Sequence, residues 1–318
     1  MNSPVVSVLL PVRNGCPYLR EAIQSVLDQS FSDWELLISE NGSSDASWEV
    51  IQSFQDARIK VWRQAESLSM PDNWNFVLQR ATGTYWLVLG ADDVLEKNHL
   101  QTRVELHAAN PKLVLSCGSF TEINPAGQTI AIQNLAAGEF ESAAQIIRRL
   151  LAGNPLNILT VFCQTAPVKN RRLGFDAHYP WMPDWVLWLE LLLDAEGVRW
   201  CPANTVRYRT HPDSMTSAAT SGSWALESSR LRVDLLEKYP EKFRALGFDP
   251  AVEIRVLTQD LWLSAQQMFR ARQFAGAKAA WRLFRRYHGW RNFFGYVCRF
   301  FYLRLTGAGT KASAAVGK

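Results

Sequence analysis

The chain of 318 residues is long enough for one large domain or two modest ones. It is 47% hydrophobic and 20% charged, with a net charge of +4, which is typical of a globular protein. No apolar run reaches the roughly 18 residues of a membrane-spanning helix, which excludes such a segment.

The five cysteines favour a reducing compartment. They are odd in number, scattered along the chain and form no CxxC pair, which is typical of cytosolic thiols and not of a disulfide framework. The first residues, MNSPVVSVLLPVRN, have no basic leader region or cleavage site and indicate a strand rather than a signal peptide. We therefore expect a cytoplasmic protein.

Charge is distributed unevenly. Eleven lysines and arginines lie between Arg270 and the C-terminus, and no acid follows Asp260. The preceding residues carry 23 bases against 30 acids. The sequence therefore combines an acidic body with a strongly basic tail.

The first 120 residues alternate between two hydrophobic periods. The continuous apolar run Val5–Pro11 predicts a strand buried on both faces, and apolar residues three or four positions apart, as at Tyr18–Gln29, predict helices. Strands are predicted at Val5–Pro11, Trp34–Ile38, Arg58–Trp62 and Tyr85–Leu89, and helices at Tyr18–Gln29, Asp45–Phe54 and Pro71–Arg80. This alternation predicts right-handed βαβ units and an α/β fold with a mainly parallel sheet.

The later elements are less regular. A helix is predicted at Asp184–Asp194, a strand at Trp200–Tyr208 and a helical pattern from Leu226 onward. We therefore expect an α/β domain over residues 1–220 and a helical, basic extension over 221–318. Its last residues, Thr306–Lys318, are small and polar and are expected to be disordered.

Polar clusters follow three of the predicted strands. They are PVRNG at 11–15, SENGSSD at 39–45 and GADD at 90–93. Ligands of open α/β sheets bind at the carboxyl ends of the strands, where parallel strands meet at one edge. Asp92 and Asp93 are adjacent like charges at that edge, which a divalent cation with phosphate oxygens would offset. The alternative is a helix cap at Asp92 beside a solvated Asp93.

Several other site classes have no matching motif. No GxGxxG follows the first strand, and there is no GxxxxGK[ST]. No HExxH motif or His/Cys cluster indicates zinc. The sequence therefore gives no support to a dinucleotide, P-loop or zinc site.

The order of PVRNG, WELLISENGSSD and NWNFVLQRATGTYWLVLGADDVL resembles the family 2 glycosyltransferases of the GT-A fold. The match covers about residues 4–120 closely and is weaker to about 216. It implies a GT-A-like, Rossmann-like domain, a nucleoside diphosphate sugar donor, a Mg²⁺ or Mn²⁺ ion and, in most members, inversion at the anomeric carbon.

The resemblance also assigns residues at the three strand ends. Pro11 and Arg13 would line the base pocket, and Glu40 would hold the base. Asp92 would meet the ribose and the metal, and Asp93 would hold the metal. Three departures from the family pattern are Glu40, which is one methylene longer than the usual Asp, Asn41, where a second Asp is usual, and Gly90, which replaces the first Asp of the acidic motif.

The segment MPDWVLWLE, residues 182–190, resembles the family segment that carries the proposed catalytic base. Asp184 would take the proton of the acceptor hydroxyl as its oxygen attacks C1 of the sugar. A carboxylate at a helix start beside Trp181 and Trp185 lies in a partly apolar setting, which raises a carboxyl pKa. The alternative is an ordinary Asp N-cap.

The segment YRTHPDSMT, residues 208–216, resembles the family pattern YRxHxxSxS. His211 would contact the diphosphate or complete the metal shell, and Arg209 or Arg207 would pair with phosphate. The alternative for His211 is an ordinary loop residue.

Residues Trp281–Leu305 predict a basic amphipathic helix with aromatic residues on its apolar face. This pattern favours an anionic membrane surface as a partner. The alternative is a helix packed on the catalytic domain. The tail matches no nucleic-acid recognition module, so we expect no nucleic-acid partner.

The sequence thus predicts a metal-dependent, inverting glycosyltransferase of hexosyltransferase type. Its acceptor is expected to be a glycan or a lipid-linked glycan of surface polysaccharide assembly, at the inner face of the cytoplasmic membrane. Two alternatives stay open: a sugar-nucleotide binding protein without turnover, and a membrane or nucleic-acid adaptor that acts through its tail.

Overall fold

The computed structural model describes residues 3–133, 139–212, 214, 221–259 and 261–289. The chain divides into two compact units, Met1–Ala218 and Ala219–Lys318. Each unit is described by itself.

An eight-stranded sheet forms the centre of the first unit. Its strands are β1 (Val6–Val12), β2 (Trp34–Glu40), β3 (Ile59–Arg63), β4 (Tyr85–Val88), β6 (Leu115–Gly118), β9 (Phe140–Ser142), β10 (Phe162–Gln164) and β11 (Gly197–Cys201). Their order is β3-β2-β1-β4-β10-β6-β11-β9. Four of these seven pairings, β1–β2, β2–β3, β1–β4 and β6–β11, are parallel.

A smaller sheet contains β5 (Val94–Leu95), β7 (Phe120–Ile123), β8 (Thr129–Gln133) and β12 (Val206–Arg209) in the order β5-β12-β7-β8. The prediction of one strand at Trp200–Tyr208 is therefore wrong. β11 ends at Cys201, and β12 begins in the other sheet. Pro202 follows β11 directly and lacks the backbone N–H that a sheet ladder needs.

Helices connect and flank the strands of the first unit. They are α1 (Leu19–Leu27), α2 (Ser47–Gln52), α3 (Met70–Arg80), α4 (His99–Ala108), α5 (Ala143–Ala152), α6 (Thr165–Arg171) and α7 (Pro183–Leu192), with a 3₁₀ turn at Ile158–Thr160. Ser69 caps α3 by accepting the N–H of Asp72, and Pro71 lies in its first turn. The α/β fold class and its mainly parallel sheet are confirmed.

The core explains where polar side chains accumulate. β1 and β2 are buried along almost their whole length, and Val8, Leu10, Leu36 and Ile38 belong to one apolar cluster with α1. Burying each such side chain contributes about 1.5–3 kcal/mol. Polar side chains would interrupt the packing of this apolar cluster. Most polar side chains near β1 and β2 therefore occur where the two strands end.

The second unit is helical over its described residues. It contains α8 (Ser221–Lys238), α9 (Pro240–Ala245), α10 (Pro250–Gln259) and α11 (Leu261–Arg270), and residues 274–289 are also helical. This confirms the predicted helical extension. Among the described residues, no helix combines the length and apolar character needed to cross a membrane.

Only residues 281–289 of the predicted amphipathic helix are described, and 290–305 lie outside the described residues. The rings of Trp281 and Phe284 pack against Trp262 of α11, with centroids 6.2 and 5.7 Å away. Arg282 and Arg286 are exposed. The apolar face of this stretch is thus covered within its own unit, and membrane binding stays a prediction.

Candidate active site

Three strand ends come together at one edge of the large sheet. β1 lies between β2 and β4, and all three run parallel. Val12 pairs with Glu40, and the N–H of Leu89 donates to Leu9 O over 2.8 Å. The clusters that contain Pro11, Arg13, Glu40, Asp92 and Asp93 are therefore neighbours.

The loops that follow β1 and β2 hold each other in place. The backbone N–H groups of Asn14, Gly15 and Cys16 donate to Ser43 Oγ, Ser47 Oγ and Asp45 Oδ2, each over 2.9 Å. Arg13 precedes these residues and is exposed, and no hydrogen bond or ion pair joins its side chain to another described residue. The loop thus presents a cation beside the end of β2.

Glu40 is fully buried at the end of β2. Its Oε1 accepts the N–H of Ser43 over 2.5 Å, and its Oε2 lies 3.2 Å from Arg63 Nε on β3. Arg63 offsets the charge of the carboxylate. The side chain has no exposed surface, so a base that bonds to Glu40 must first displace Ser43 or the more exposed Arg63.

Asn41 has a role that the sequence does not reveal. Its Oδ1 accepts the N–H of Leu68 over 2.7 Å, and its Nδ2 donates to Leu68 O over 3.0 Å. This pair of bonds holds the segment that leads into α3. An ionised aspartate has no N–H to donate, so only the amide can make both bonds.

The two acids after β4 differ in exposure and partners. Asp93 is only 3% exposed, and its Oδ1 accepts the backbone N–H of Arg209 over 2.8 Å. Burial and the neighbouring Asp92 raise the pKa of Asp93 well above its usual value. Asp92 is more exposed, and its Oδ2 accepts a hydrogen bond from His211 Nε2 over 3.0 Å.

Gly90 leaves a space on which the two carboxylates converge. A Cβ at position 90 would lie 2.2 Å from Asp93 Oδ2 and 2.9 Å from Asp92 Oδ1. Two carboxylates suit Mg²⁺ or Mn²⁺ that takes its other ligands from phosphate and water. Across the described residues, no three His, Cys, Asp or Glu side chains form a metal cage. The convergence of Asp92 and Asp93 on the space beside Gly90 fits a metal that takes its other ligands from substrate and water.

Gly90→Ala should weaken the expected metal-dependent binding of a nucleotide by about tenfold or more, and each factor of ten corresponds to a loss of about 1.4 kcal/mol. The added Cβ forces the carboxylate of Asp93 to move, because the gap of 2.2 Å is too short for any contact. Calorimetric titration of UDP with Mn²⁺ measures the change. Gly153→Ala is the control, since a Cβ there meets nothing within 4 Å. Unchanged affinity in Gly90→Ala would contradict the assigned position of Asp93.

Arg209 requires a correction. The sequence predicts that it pairs with phosphate, but the structure buries it to 1% exposure. Its NH2 pairs with Glu21 Oε2 on α1, and its Nε donates to Asp92 O over 2.8 Å. NH1 donates to the carbonyls of Asn124 and Pro125. All three nitrogens of the Arg209 guanidinium are thus used in bonds that hold the acidic pair in place. The other candidate for a phosphate contact, Arg207, donates to Gly127 O.

His211 lies beside the acidic pair, 3.0 Å from Asp92, and its predicted contact with the diphosphate or the metal stays a prediction. Its ring packs 5.4 Å from that of Tyr18, over which the Arg209 guanidinium also lies at 4.5 Å. Tyr18, the residue before α1, therefore contacts both His211 and Arg209, and Glu21 in the first turn of α1 pairs with Arg209. No local sequence signal marks them, because their partners lie about 190 residues further along the chain.

Asp184 is half-buried in the first turn of α7, next to Pro183. Burial raises the pKa of Asp184 to about 6, and the nearby N–H groups of Trp185, Asn154 and Trp188 oppose that increase. Nδ2 of Asn154 donates to Asp184 Oδ2 over 3.2 Å. A carboxyl group with this pKa is ionised near neutral pH and basic enough to accept a proton.

Three tryptophans surround this helix start in different ways. Trp185 is 5% exposed and donates its indole N–H to Leu150 O over 3.1 Å, so it fixes α7 on α5. Trp188 stacks on Trp86 of β4, the strand that leads to the acidic pair. Trp181, in contrast, is 38% exposed. Of these three rings, it is the one that solvent reaches near Asp184.

Comparison with known proteins identifies the class to which this site belongs. Residues 7–163 match the family model described as Glycosyl transferase family 2, and this range includes the three converging strand ends. Over these residues the chain belongs to glycosyltransferase family 2.

One curated relative and two solved structures extend this result. An Escherichia coli protein, UDP-Glc:alpha-D-GlcNAc-diphosphoundecaprenol beta-1,3-glucosyltransferase WfgD, is 27% identical over 197 residues, which are 61% of this chain and 72% of that protein. The structure of residues 1–349 of S. aureus TarS in complex with UDP-GlcNAc matches with a TM-score of 0.61, 16% identity and coverage of 88% of this chain and 91% of that fragment. The mannosyltransferase PcManGT from Pyrobaculum calidifontis, in complex with GDP-Man and Mn²⁺, matches with a TM-score of 0.52, 15% identity and coverage of 96% and 88%. The two structures establish the GT-A fold.

Proposed function

We propose that this glycosyltransferase moves a hexose from a nucleoside diphosphate sugar to a hydroxyl group of a glycan, with inversion at C1. The observation that carries the proposal is the convergence of Asp92 and Asp93 beside Gly90, next to the ends of β1 and β2. A second carboxylate with a raised pKa, Asp184, supplies the base. We assign residues 1–220 to this activity.

The donor lies across the strand ends in this proposal. Pro11, Arg13 and Glu40 contact the base, Asp92 meets the ribose, and His211 contacts the diphosphate. Asp93, together with Asp92, would hold Mg²⁺ or Mn²⁺, which neutralises the charge that develops on the leaving diphosphate. Arg209 holds Asp92 and Asp93 in position rather than contacting phosphate.

The reaction is a single in-line displacement. Asp184 accepts the proton of the acceptor hydroxyl as its oxygen forms a bond to C1 of the sugar. The bond from C1 to the diphosphate oxygen breaks on the opposite face, and its electron pair leaves with the diphosphate. One displacement inverts the configuration at C1. General-base assistance of this kind contributes about 10²–10⁴ in rate.

The proposed acceptor is a glycan linked to a lipid diphosphate, as in surface polysaccharide assembly. The named substrate of the E. coli relative supports this class. The exposed Arg282 supplies positive charge for an anionic membrane surface, on which such an acceptor resides, whereas Arg286 pairs with Glu237 at 3.2 Å. The donor sugar belongs to the same proposal, and UDP-Glc is its first candidate.

Calorimetric titration of UDP, GDP, dTDP and CDP, each with and without Mn²⁺, tests the donor site. We expect one nucleotide to bind only when the metal is present. Transfer is then followed with the corresponding donor and GlcNAc-diphosphoundecaprenol. If no nucleotide binds under any condition, the strand-end acids are caps and the proposed donor site is wrong.

The rate of transfer should fall as the pH decreases through about 6. Asp184 works as a base only when it is deprotonated, and burial raises its pKa to about 6. Below that value, each further pH unit should lower kcat by about tenfold. A pH profile of kcat measures this, and donor affinity over the same range controls for binding. A rate that stays constant from pH 7 to 5 would contradict the assignment.

A further inference from the structure

Asn154 lies in the segment between α5 and the 3₁₀ turn, and it touches the proposed base directly. Its Nδ2 donates to Asp184 Oδ2 over 3.2 Å. Its Oδ1 accepts the N–H of Leu156 over 3.0 Å. The second bond fixes the orientation of the amide, because only Oδ1 can accept that N–H. The donor end of the side chain is therefore directed at the carboxylate.

Asn154 is exposed, and the elements on either side of it hold its segment beside the helix that carries Asp184. α5 begins with a capping box formed by Ser142 and Gln145, and the N–H of Gly153 donates to Arg149 O at its end. The indole of Trp185 ties α7 to the carbonyl of Leu150 on α5. The segment that carries Asn154 and the helix that carries Asp184 are thus joined at two points.

We propose that Asn154 is a positioning residue for Asp184, which it holds through Oδ2 so that the carboxylate is oriented toward the acceptor hydroxyl. This inference rests on the proposed role of Asp184 as the base. It adds a residue that lies 30 positions away in sequence and belongs to none of the motifs of the family resemblance.

The contact has an electrostatic consequence. A hydrogen bond donated to a carboxylate favours its ionised form, so Asn154 lowers the pKa of Asp184 against the effect of burial. The other groups that oppose burial are the backbone N–H groups of Asp184 and Trp185 and the side chain of Trp188, and none of them is charged. Removing Asn154 Nδ2 should therefore raise the pKa of Asp184.

The test compares three variants. Asn154→Ala removes both bonds of the amide, and Asn154→Asp keeps an acceptor for Leu156 but replaces the donor by an anionic oxygen. Asn157→Ala is the matched control, because Asn157 Oδ1 accepts the N–H of Leu159 over 3.0 Å in the same kind of turn. ¹³C NMR of protein labelled at aspartate carboxyl groups follows each titration, and the signal absent from Asp184→Asn identifies Asp184.

We expect the pKa of Asp184 to rise by about one unit in Asn154→Ala and by more in Asn154→Asp. It should stay unchanged in Asn157→Ala. In the pH profile of kcat, measured with UDP-Glc and GlcNAc-diphosphoundecaprenol, the acidic limb should move by the same number of pH units as the pKa. The KM for UDP-Glc should stay unchanged. An unmoved pKa in both Asn154 variants, or an equal shift in Asn157→Ala, would overturn the inference.

Failure of the inference and failure of the proposed function give different results. If Asp184→Asn transfers sugar at the wild-type rate, Asp184 is not the base, whatever the NMR titration shows. If Asp184→Asn is inactive but the Asn154 variants keep the wild-type pKa and pH profile, the base is correct and the positioning role is wrong.

Discussion

Asp184→Asn is expected to lower kcat by about 10²–10⁴ while nucleotide affinity stays at the wild-type value. The amide has nearly the shape of the carboxylate but cannot accept the proton of the acceptor hydroxyl. The donor site, at the ends of β1, β2 and β4, contains none of the groups that this substitution removes. The measurement pairs single-turnover transfer with calorimetric titration of UDP and Mn²⁺.

Asp194→Asn is the matched control for this change. Asp194 follows the other end of α7 and pairs with Arg171 at 3.0 Å, where its side chain is 41% exposed. An exposed ion pair contributes at most about 1 kcal/mol, so activity should be retained. Full activity in Asp184→Asn would contradict the mechanism. A wild-type protein that binds the nucleotide without turnover would instead favour the non-catalytic alternative.

The first half of the fold is predictable from the sequence because its apolar residues recur with the clear spacings of strands and helices. The strands around Val8, Leu36 and Val61 and the helix around Ile23 all form where the apolar pattern places them. The second sheet is not predictable in this way. Its strands are two to five residues long, too short for a period to distinguish them from loops.

The proximity of the candidate site residues is predictable where they lie at or just beyond the end of a buried strand. Pro11 and Glu40 lie in the last residues of β1 and β2, Asp92 and Asp93 follow β4, and the parallel pairing of these strands makes them neighbours. Arg209 shows the limit of such inference. A loop arginine near a histidine resembles a phosphate ligand in sequence, and only the tertiary contacts with α1 show that it is buried.

Residues that act through long-range contacts give no sequence signal. Asn154 contacts Asp184 across 30 residues, and Glu21 pairs with Arg209 across 188. Asn154 precedes a proline, which in sequence indicates a turn and nothing more. Its relation to the base depends on how α5 packs against α7, and local patterns carry no information on that packing.

Asp93→Asn is expected to change ligand binding and stability in opposite directions. Its amide oxygen still accepts the N–H of Arg209, so the local structure is retained. The loss of one of the two converging carboxylates should weaken Mn²⁺-dependent UDP binding by about a hundredfold, or about 2.7 kcal/mol. The nucleotide-free protein should unfold at a higher temperature, because a buried carboxylate beside Asp92 costs stability when no cation offsets it.

The two opposite signs separate a ligand-binding role from a structural one. An acid that serves only to hold the turn after β4 would lower both the binding affinity and the unfolding temperature when it is replaced. Asp28→Asn is the control for a general charge effect, since Asp28 is exposed at the end of α1 and should change neither quantity. Thermal unfolding and calorimetric titration of the same samples distinguish the two roles. An Asp93→Asn protein that is destabilised but still binds UDP with Mn²⁺ would show that Asp93 is not a metal ligand.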